Sequence, residues 1–243
     1  MKIYTYYDNI SKDGKDSKNQ QLIKLWTKSW SKNGFTPIVL GRHDAEKSPF
    51  FKEFISSMRY SQEKIMGKEM LPYGLSCYLR WLAYSTQKEE KFLVADYDII
   101  NHKYKKEELE DKNHLMVGHC PCFASGSPST FLEMCQKMCS ISKNRIDLLK
   151  GKVDVWYNDQ EFFFHNFSYK SPNGPLDHSD WLIISSDIPR IGENYKHGAN
   201  QDKREVIHFS NHSMSQTKAN FPEFQKFTNI DLRVKLISEL INE

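Results

Sequence analysis

Over residues 2–95 short apolar runs alternate with longer stretches of helical spacing, and few architectures accept that order. "KIYTYYD" is rich in Tyr and β-branched residues and reads as a strand. After a polar loop, "NISKDGKDSKN", the segment "QQLIKLWTKSWSKNG" brings Leu22, Leu25, Trp26, Ser29 and Trp30 to one helical face, and Gly34 stops it. "FTPIVLG" is a second strand, with Gly41 opening a loop. "SPFFKEFISSMRY" predicts a short helix with Pro49 near its start, and "LPYGLSCYLRWLAYSTQ" a third helix, again with Pro near its start. "KFLVA" is the next strand. Strand, helix, strand, helices, strand implies a parallel α/β sheet. Ligands of such sheets bind at the carboxyl ends of strands, where Asp8, Asp96 and Asp98 fall.

The second half is less regular. "LMVGH" and "CFASGS" read as strands around a tight turn, "SPSTFLEMCQKMCSIS" and "NDQEFFFHNF" as helices, and "WLIIS" and "EVIHFSN" as strands. "PEFQKFTNIDLRVKLISELINE" contains a C-terminal amphipathic helix. With 243 residues, 39% of them hydrophobic, the chain can bury one sizeable core, and no repeat or linker divides it. The expectation is an α/β fold: a mostly parallel central sheet flanked by helices, in one domain over residues 1–243.

Charge and cysteine usage narrow the function classes. The net charge of +3 comes from 27 lysines against 7 arginines, spread without a basic block, so a nucleic-acid groove is not expected. The N-terminus "MKIYTYYDNI" has no apolar core of a secretory signal, and no apolar run approaches the ~20 residues of a membrane span. Five cysteines, an odd number without the spacing of a secreted scaffold, point to reduced thiols and a cytoplasmic protein. Cys120, Cys122, Cys135 and Cys139 invite a zinc reading, but C-x-C followed by C-x₃-C is not a usual ligand spacing. Cysteines at i, i+4 on an amphipathic helix are more simply core.

The chemistry concentrates in "FLVADYDII". Asp96 and Asp98 end an apolar strand, and residues i and i+2 of a strand point to the same side. Two such carboxylates repel unless a cation or donors lie between them. Hard cations such as Mg²⁺ or Mn²⁺ take one or two carboxylates together with phosphate oxygens. The helix just before this strand carries Arg80 among apolar and aromatic residues, where a guanidinium can brace an aspartate or pair with a diphosphate.

Taken in order, "YTYYDN", "WTKSWSKNGFTPIVL", the Arg80 helix and "FLVADYDII" resemble the GT-A glycosyltransferases, which use nucleotide-sugar donors. The chain is most similar to small single-domain members, including those of large algal viruses, over residues 1–105 and more loosely beyond. The resemblance implies that residues 1–105 bind the nucleotide-sugar, most simply a UDP-sugar, and that residues 106–243 bind a glycan or other hydroxyl acceptor. It assigns Thr5, Tyr6, Tyr7 and Asp8 to the nucleotide, beside Arg80, Asp96, Tyr97 and Asp98. It assigns Mn²⁺ or Mg²⁺ to Asp96 and Asp98, completed by His208, with His212 and a phosphate-reaching Lys218 as weaker candidates on the same loop. Asp159, Gln160 and Glu161 fall where such enzymes place an acceptor-side acid or a group facing the sugar, with a lean towards retention of configuration. The "FASGSPS" loop, with Gly126, would let a sugar approach the backbone. Ser76 is a departure, since many relatives carry an aspartate four residues before the arginine.

Three rivals come from other classes. A HAD-type phosphatase also has an apolar strand ending in Asp-x-Asp, but this chain has Ile100 where that loop carries Thr or Val, and lacks the later Asp-Asp or Gly-Asp pair. Dinucleotide and P-loop sites need G-x-G or G-x₄-G-K, and neither occurs. A non-catalytic carbohydrate-binding protein would suit the 12 Tyr, 15 Phe and 5 Trp, but most of these fall at core spacing.

Overall fold

In a computed structural model the described residues are 1–10, 16–105, 114–116, 121–151, 153, 157–167, 182–184 and 206–242. The first half forms the anticipated alternation: β1 (Lys2–Tyr6), α1 (Asp16–Lys32), β2 (Thr36–Leu40), α2 (Arg42–Ala45), α3 (Phe51–Met66), α4 (Pro72–Ser85) and β3 (Phe92–Ala95). A short β4 (Ile99–Asn101) follows the aspartates. Then come β5 (His114–Met116), β6 (Phe123–Gly126), α5 (Pro128–Asn144), α6 (Ile146–Leu149), α7 (Asp159–Phe167) and β7 (Leu182–Ile184). The last described stretch holds β8 (Val206–His208), α8 (Asn211–Asn220) and α9 (Asn229–Asn242).

Six strands make one sheet in the order β2-β1-β3-β6-β5-β7, while β4 and β8 form a separate antiparallel ribbon. Three of the five pairings in the main sheet are parallel, and only β6 runs against its neighbours. Alternation sorts the side chains onto two layers. Tyr4, Tyr6, Phe92 and Val94 face a core shared with α3, α4 and α5, and Ile3, Leu93 and Ala95 face one shared with α1 and α9. Phe92 stacks on Phe131 of α5 at 5.3 Å, and Trp30 of α1 donates its indole N–H to the Ile99 carbonyl at 3.1 Å.

This topology fixes where a ligand goes. β2 and β3 lie on opposite sides of β1, and the helices linking them lie on opposite faces of the sheet. The carboxyl ends of β1 and β3 therefore flank the switch point of a doubly wound sheet, the place where such folds open a crevice.

Several elements depart from expectation. Asp96 and Asp98 lie in a turn between β3 and β4, closed by the Ile99 N–H donating to the Asp96 carbonyl at 2.9 Å, so strand alternation is not what orients them. β4 was missed because Ile99 and Ile100 are both buried and give no alternation. Residues 211–220, expected as a loop, form α8, whose polar sequence hides the helical period; its signal is the Ser210 hydroxyl accepting from the Ser213 N–H at 3.1 Å. The four-residue helices α2 and α6 are too short for any period to show. α3 runs on to Met66, where Gly67 at φ +66° ends it in the left-handed conformation. The expected turn between β5 and β6 falls on residues 117–120, outside the described ones.

Candidate functional site

Arg80 is the hub of a buried charge cluster beyond the carboxyl end of β3. α4 is buried on nearly every side from Tyr78 to Tyr84, so a charge on it must find partners within the protein. Its Nε donates to Asp159 Oδ2 at 2.8 Å, its Nη2 lies 2.5 Å from the same oxygen, and its Nη1 donates to Asp96 Oδ1. Trp81 adds an indole N–H to Asp159 Oδ2 at 2.7 Å. Asp159 sits in the first turn of α7, after the Asn158 side chain that caps it by accepting from the Glu161 N–H at 3.1 Å. Burial disfavours the Arg80 charge, but Asp159 and Asp96 outweigh it and hold the guanidinium firmly charged. Burial pushes the Asp96 carboxyl up to about 6 against the pull of Arg80, with Asp98 adding to the rise.

Asp98 has a different set of neighbours. His208 Nε2 is 3.5 Å from its Oδ1, and Arg233 Nη1, from α9, is 3.5 Å from its Oδ2. Both exceed the 2.7–3.2 Å of an ordinary N–H···O bond. The ribbon places His208, because Ile99 pairs with His208 and the Phe209 N–H donates to the Asp98 carbonyl at 2.9 Å. Burial would raise the Asp98 carboxyl, yet His208 and Arg233 hold it below the usual carboxylate range. The other ring nitrogen of His208 faces the Cys122 thiol at 3.8 Å, and the Cys122 carbonyl accepts the Asp96 N–H at 2.8 Å.

The expected residues thus divide. Asp96, Asp98, Arg80, Asp159 and His208 come together, with Tyr97 between the two aspartates and its ring 5.9 Å edge-on from Tyr7. Tyr7, Asp8 and Tyr97 are half-buried on the rim beside the turn, and the Tyr7 hydroxyl donates to Asp16. Thr5 and Tyr6 are built into the sheet instead, Thr5 fully buried with its hydroxyl unbonded among the described residues. Gln160 and Glu161 are half-buried and follow Asp159 in the first turn of α7.

Other candidates fall elsewhere. His212 is exposed on α8, and Lys218 is on that helix with its ammonium donating to Asn229 Oδ1 at 3.2 Å. Gly126 is at the wrong end of the sheet for sugar approach. β6 runs antiparallel to β3, pairing Gly126 with Phe92, while Phe123 is the residue beside Ala95. A Cβ on Gly126 would meet the Phe131 ring at 3.2 Å, so packing against α5 leaves little room for a side chain there. Cys135 and Cys139 are buried free thiols in the core, and Cys120 lies outside the described residues. Among the described residues no three His, Cys, Asp or Glu side chains gather as a metal-holding group by themselves. Among them, too, no helix is long and apolar enough to cross a membrane. Sequence reasoning missed Arg233, although Leu236 and Ile237 at i+3 and i+4 already put it on the buried face of α9.

Comparison with known proteins adds the following. Residues 1–109 match a family model described as a domain of unknown function, DUF8765. No curated protein matches the chain. Among solved structures it is similar to the apo form of the glycosyltransferase GlyE of Streptococcus pneumoniae TIGR4, at 14% identity over 99% of this chain with a TM-score of 0.48. The chain spans 63% of that protein's length. It is similar to a glycosyltransferase involved in glycosylation of the major capsid of PBCV-1, at 12% identity over 98% of this chain and 100% of the other, with a TM-score of 0.47. A third is the galactosyltransferase LgtC in complex with donor and acceptor sugar analogues, at 11% identity, 98% and 96% coverage and a TM-score of 0.49. Likenesses this distant assign no activity, and the case for one rests on the site itself.

Proposed function

We propose that the protein is a GT-A-like glycosyltransferase that moves a sugar from a nucleotide-sugar, a UDP-sugar by preference, to a hydroxyl of a glycan or other acceptor. The observation that carries this reading is the Asp96–Asp98 turn at the sheet's switch point, one aspartate braced by Arg80 and the other facing His208. Tyr7 and Tyr97 offer ring surface for the base, and Asp8 an acceptor for a ribose hydroxyl. Arg80 has both neighbouring aspartates as partners, which favours a bracing role over contact with the diphosphate.

Mg²⁺ or Mn²⁺ suits the donor set. Asp98 Oδ1 and His208 Nε2, 3.5 Å apart, lie near the roughly 3 Å between adjacent ligands at Mg²⁺ bond lengths. Such ions complete their shell with water and substrate phosphates rather than with an all-protein cage. Asp98 and His208 would hold the ion, with Asp96 beside them. Bound there, it would offset the charge that develops on the leaving diphosphate.

The protein's own groups do the rest. Asp159 is 1% exposed, and one oxygen accepts from Arg80 and Trp81, which argues against its acting as an open general base. That supports retention, with the neighbouring half-buried Gln160 amide as the group that would face the sugar. The same bracing weighs against a phosphatase, since Asp96 as nucleophile would have to leave Arg80.

The test is a thermal-shift panel of UDP, GDP, CDP and their sugars, each with and without Mn²⁺, because a ligand of the native state alone raises its melting temperature. A metal-dependent rise with the uridine series, absent in Asp98→Asn, is expected. Silence across the panel from folded protein, or full transfer by Asp98→Ala, overturns the reading.

A further inference from the structure

The two oxygens of Asp98 face different partners, and that division has chemical content. Oδ1 is directed to His208 and Oδ2 to Arg233, with 3.5 Å on each side. Arg233 is not a surface arginine that happens to pass by. It is 6% exposed, its Nη2 donates to Asn211 Oδ1 at 2.8 Å, and its Nε is buried without a hydrogen-bond partner among the described residues. A helix that buries a guanidinium so incompletely satisfied gives up solvation for it, and the carboxylate it faces is Asp98. Asn211, the first residue of α8, fixes the fork of the guanidinium from behind.

Resting on the glycosyltransferase reading above, we propose that Arg233 is a positioning residue that occupies Asp98 Oδ2 and leaves Oδ1 as the single oxygen offered to a divalent cation. Arg233 contacts neither the ion nor the sugar. It acts through Asp98 and makes that aspartate a one-oxygen ligand. A carboxylate limited to one oxygen suits the strict octahedron of Mg²⁺ or Mn²⁺ and disfavours Ca²⁺, which takes carboxylates through both oxygens in larger, more flexible shells. The guanidinium's planar fork is matched to this task, and a lysine ammonium, a point charge, supplies the charge without the orientation.

The experiment is calorimetric titration of Mn²⁺ and of Ca²⁺ into the full chain saturated with UDP, for wild type, Arg233→Met, Arg233→Lys and Asn211→Ala. Removing a partner that orients a metal ligand typically weakens the metal about 10- to 100-fold, and that loss is expected for Mn²⁺ in Arg233→Met. Ca²⁺ should weaken less or strengthen, because Oδ2 is released, so the Mn²⁺-to-Ca²⁺ preference falls by about tenfold or more. Arg233→Lys should restore Mn²⁺ affinity only in part, and Asn211→Ala should shift the preference in the same direction by less. A purely structural arginine would lower the melting temperature and leave the ratio of the two ions unmoved, and that result overturns the proposal. So does tighter Mn²⁺ binding in Arg233→Met, the mark of simple charge repulsion. Should Arg233→Met not fold, the ratio in Asn211→Ala and Arg233→Lys decides. A wild type that binds UDP but neither ion overturns this proposal and the metal reading together, whereas an unchanged ratio overturns this proposal alone.

Discussion

Asp96 and Asp98 are two residues apart on one turn, yet they belong to different kinds of structure. Asp96 is tied into a chain of close contacts running through Arg80 to Asp159 and Trp81, at 2.5–2.8 Å where Asp159 is concerned. Arg80 and Trp81 come from α4 and Asp159 from α7, helices that pack in the core on one face of the sheet. Asp98 faces an imidazole and a guanidinium at 3.5 Å, His208 delivered by the β4–β8 ribbon and Arg233 by α9. The difference separates a group that holds the floor rigid from one whose partners leave space for something else. Close contacts spend a carboxylate's lone pairs within the protein, and the looser setting of Asp98 leaves its Oδ1 the less committed oxygen.

Breaking the tight side should cost most. Arg80→Met leaves Asp96 and Asp159 without their cation, and unfolding by urea should show a loss of about 3–5 kcal/mol, as for a buried pair deprived of one partner. A loss below that range would mean that water reaches both carboxylates. Trp81→Phe keeps an aromatic ring but removes the donor to Asp159 Oδ2 and part of a buried indole; at least the roughly 1.5–3 kcal/mol of a hydrogen bond to a charged group is expected. The loose side should respond in the opposite manner. Asp98→Asn should cost less than Arg80→Met, about 1.5–3 kcal/mol for the charged partner that the buried Arg233 loses, while abolishing the Mn²⁺-dependent response to UDP. A stability loss equal to that of Arg80→Met would erase the distinction between the two aspartates.

What the sequence disclosed followed the range of its signals. Arg80 and the aspartates were legible because an arginine inside "SCYLRWLAY" and acids at the end of "FLVA" are local anomalies, each visible within a few residues. The order of β1, α1, β2, α4 and β3 was legible for the same reason. The conformation of Asp96–Asp98 was not, since a two-residue turn into β4 looks in sequence like a continued strand. The roles of the expected residues shifted where burial decided. Thr5 and Tyr6 alternate correctly for a strand, but nothing local says that both lie inside the sheet. Gly126 was misplaced because the direction of β6 depends on its pairing with β3, a contact no local pattern encodes. Arg233 is the clearest case. Its face on α9 is readable, but its partner Asp98 lies across the fold.

The β4–β8 ribbon also sets an order of events as the chain is made. Ile99 finds His208 only after the intervening hundred or so residues have been synthesised, and non-local pairings of that kind are slow to form. On a ribosome adding about 5–20 residues per second, β1, β2, β3 and Arg80 are available many seconds before His208 and Arg233 emerge. Through that interval the nascent chain carries Asp98 as a bare carboxylate. The surroundings of Asp98 are completed last, with residues 206–242, so a chain interrupted before β8 would have built β1, β2, β3 and the Arg80 cluster without His208 and Arg233.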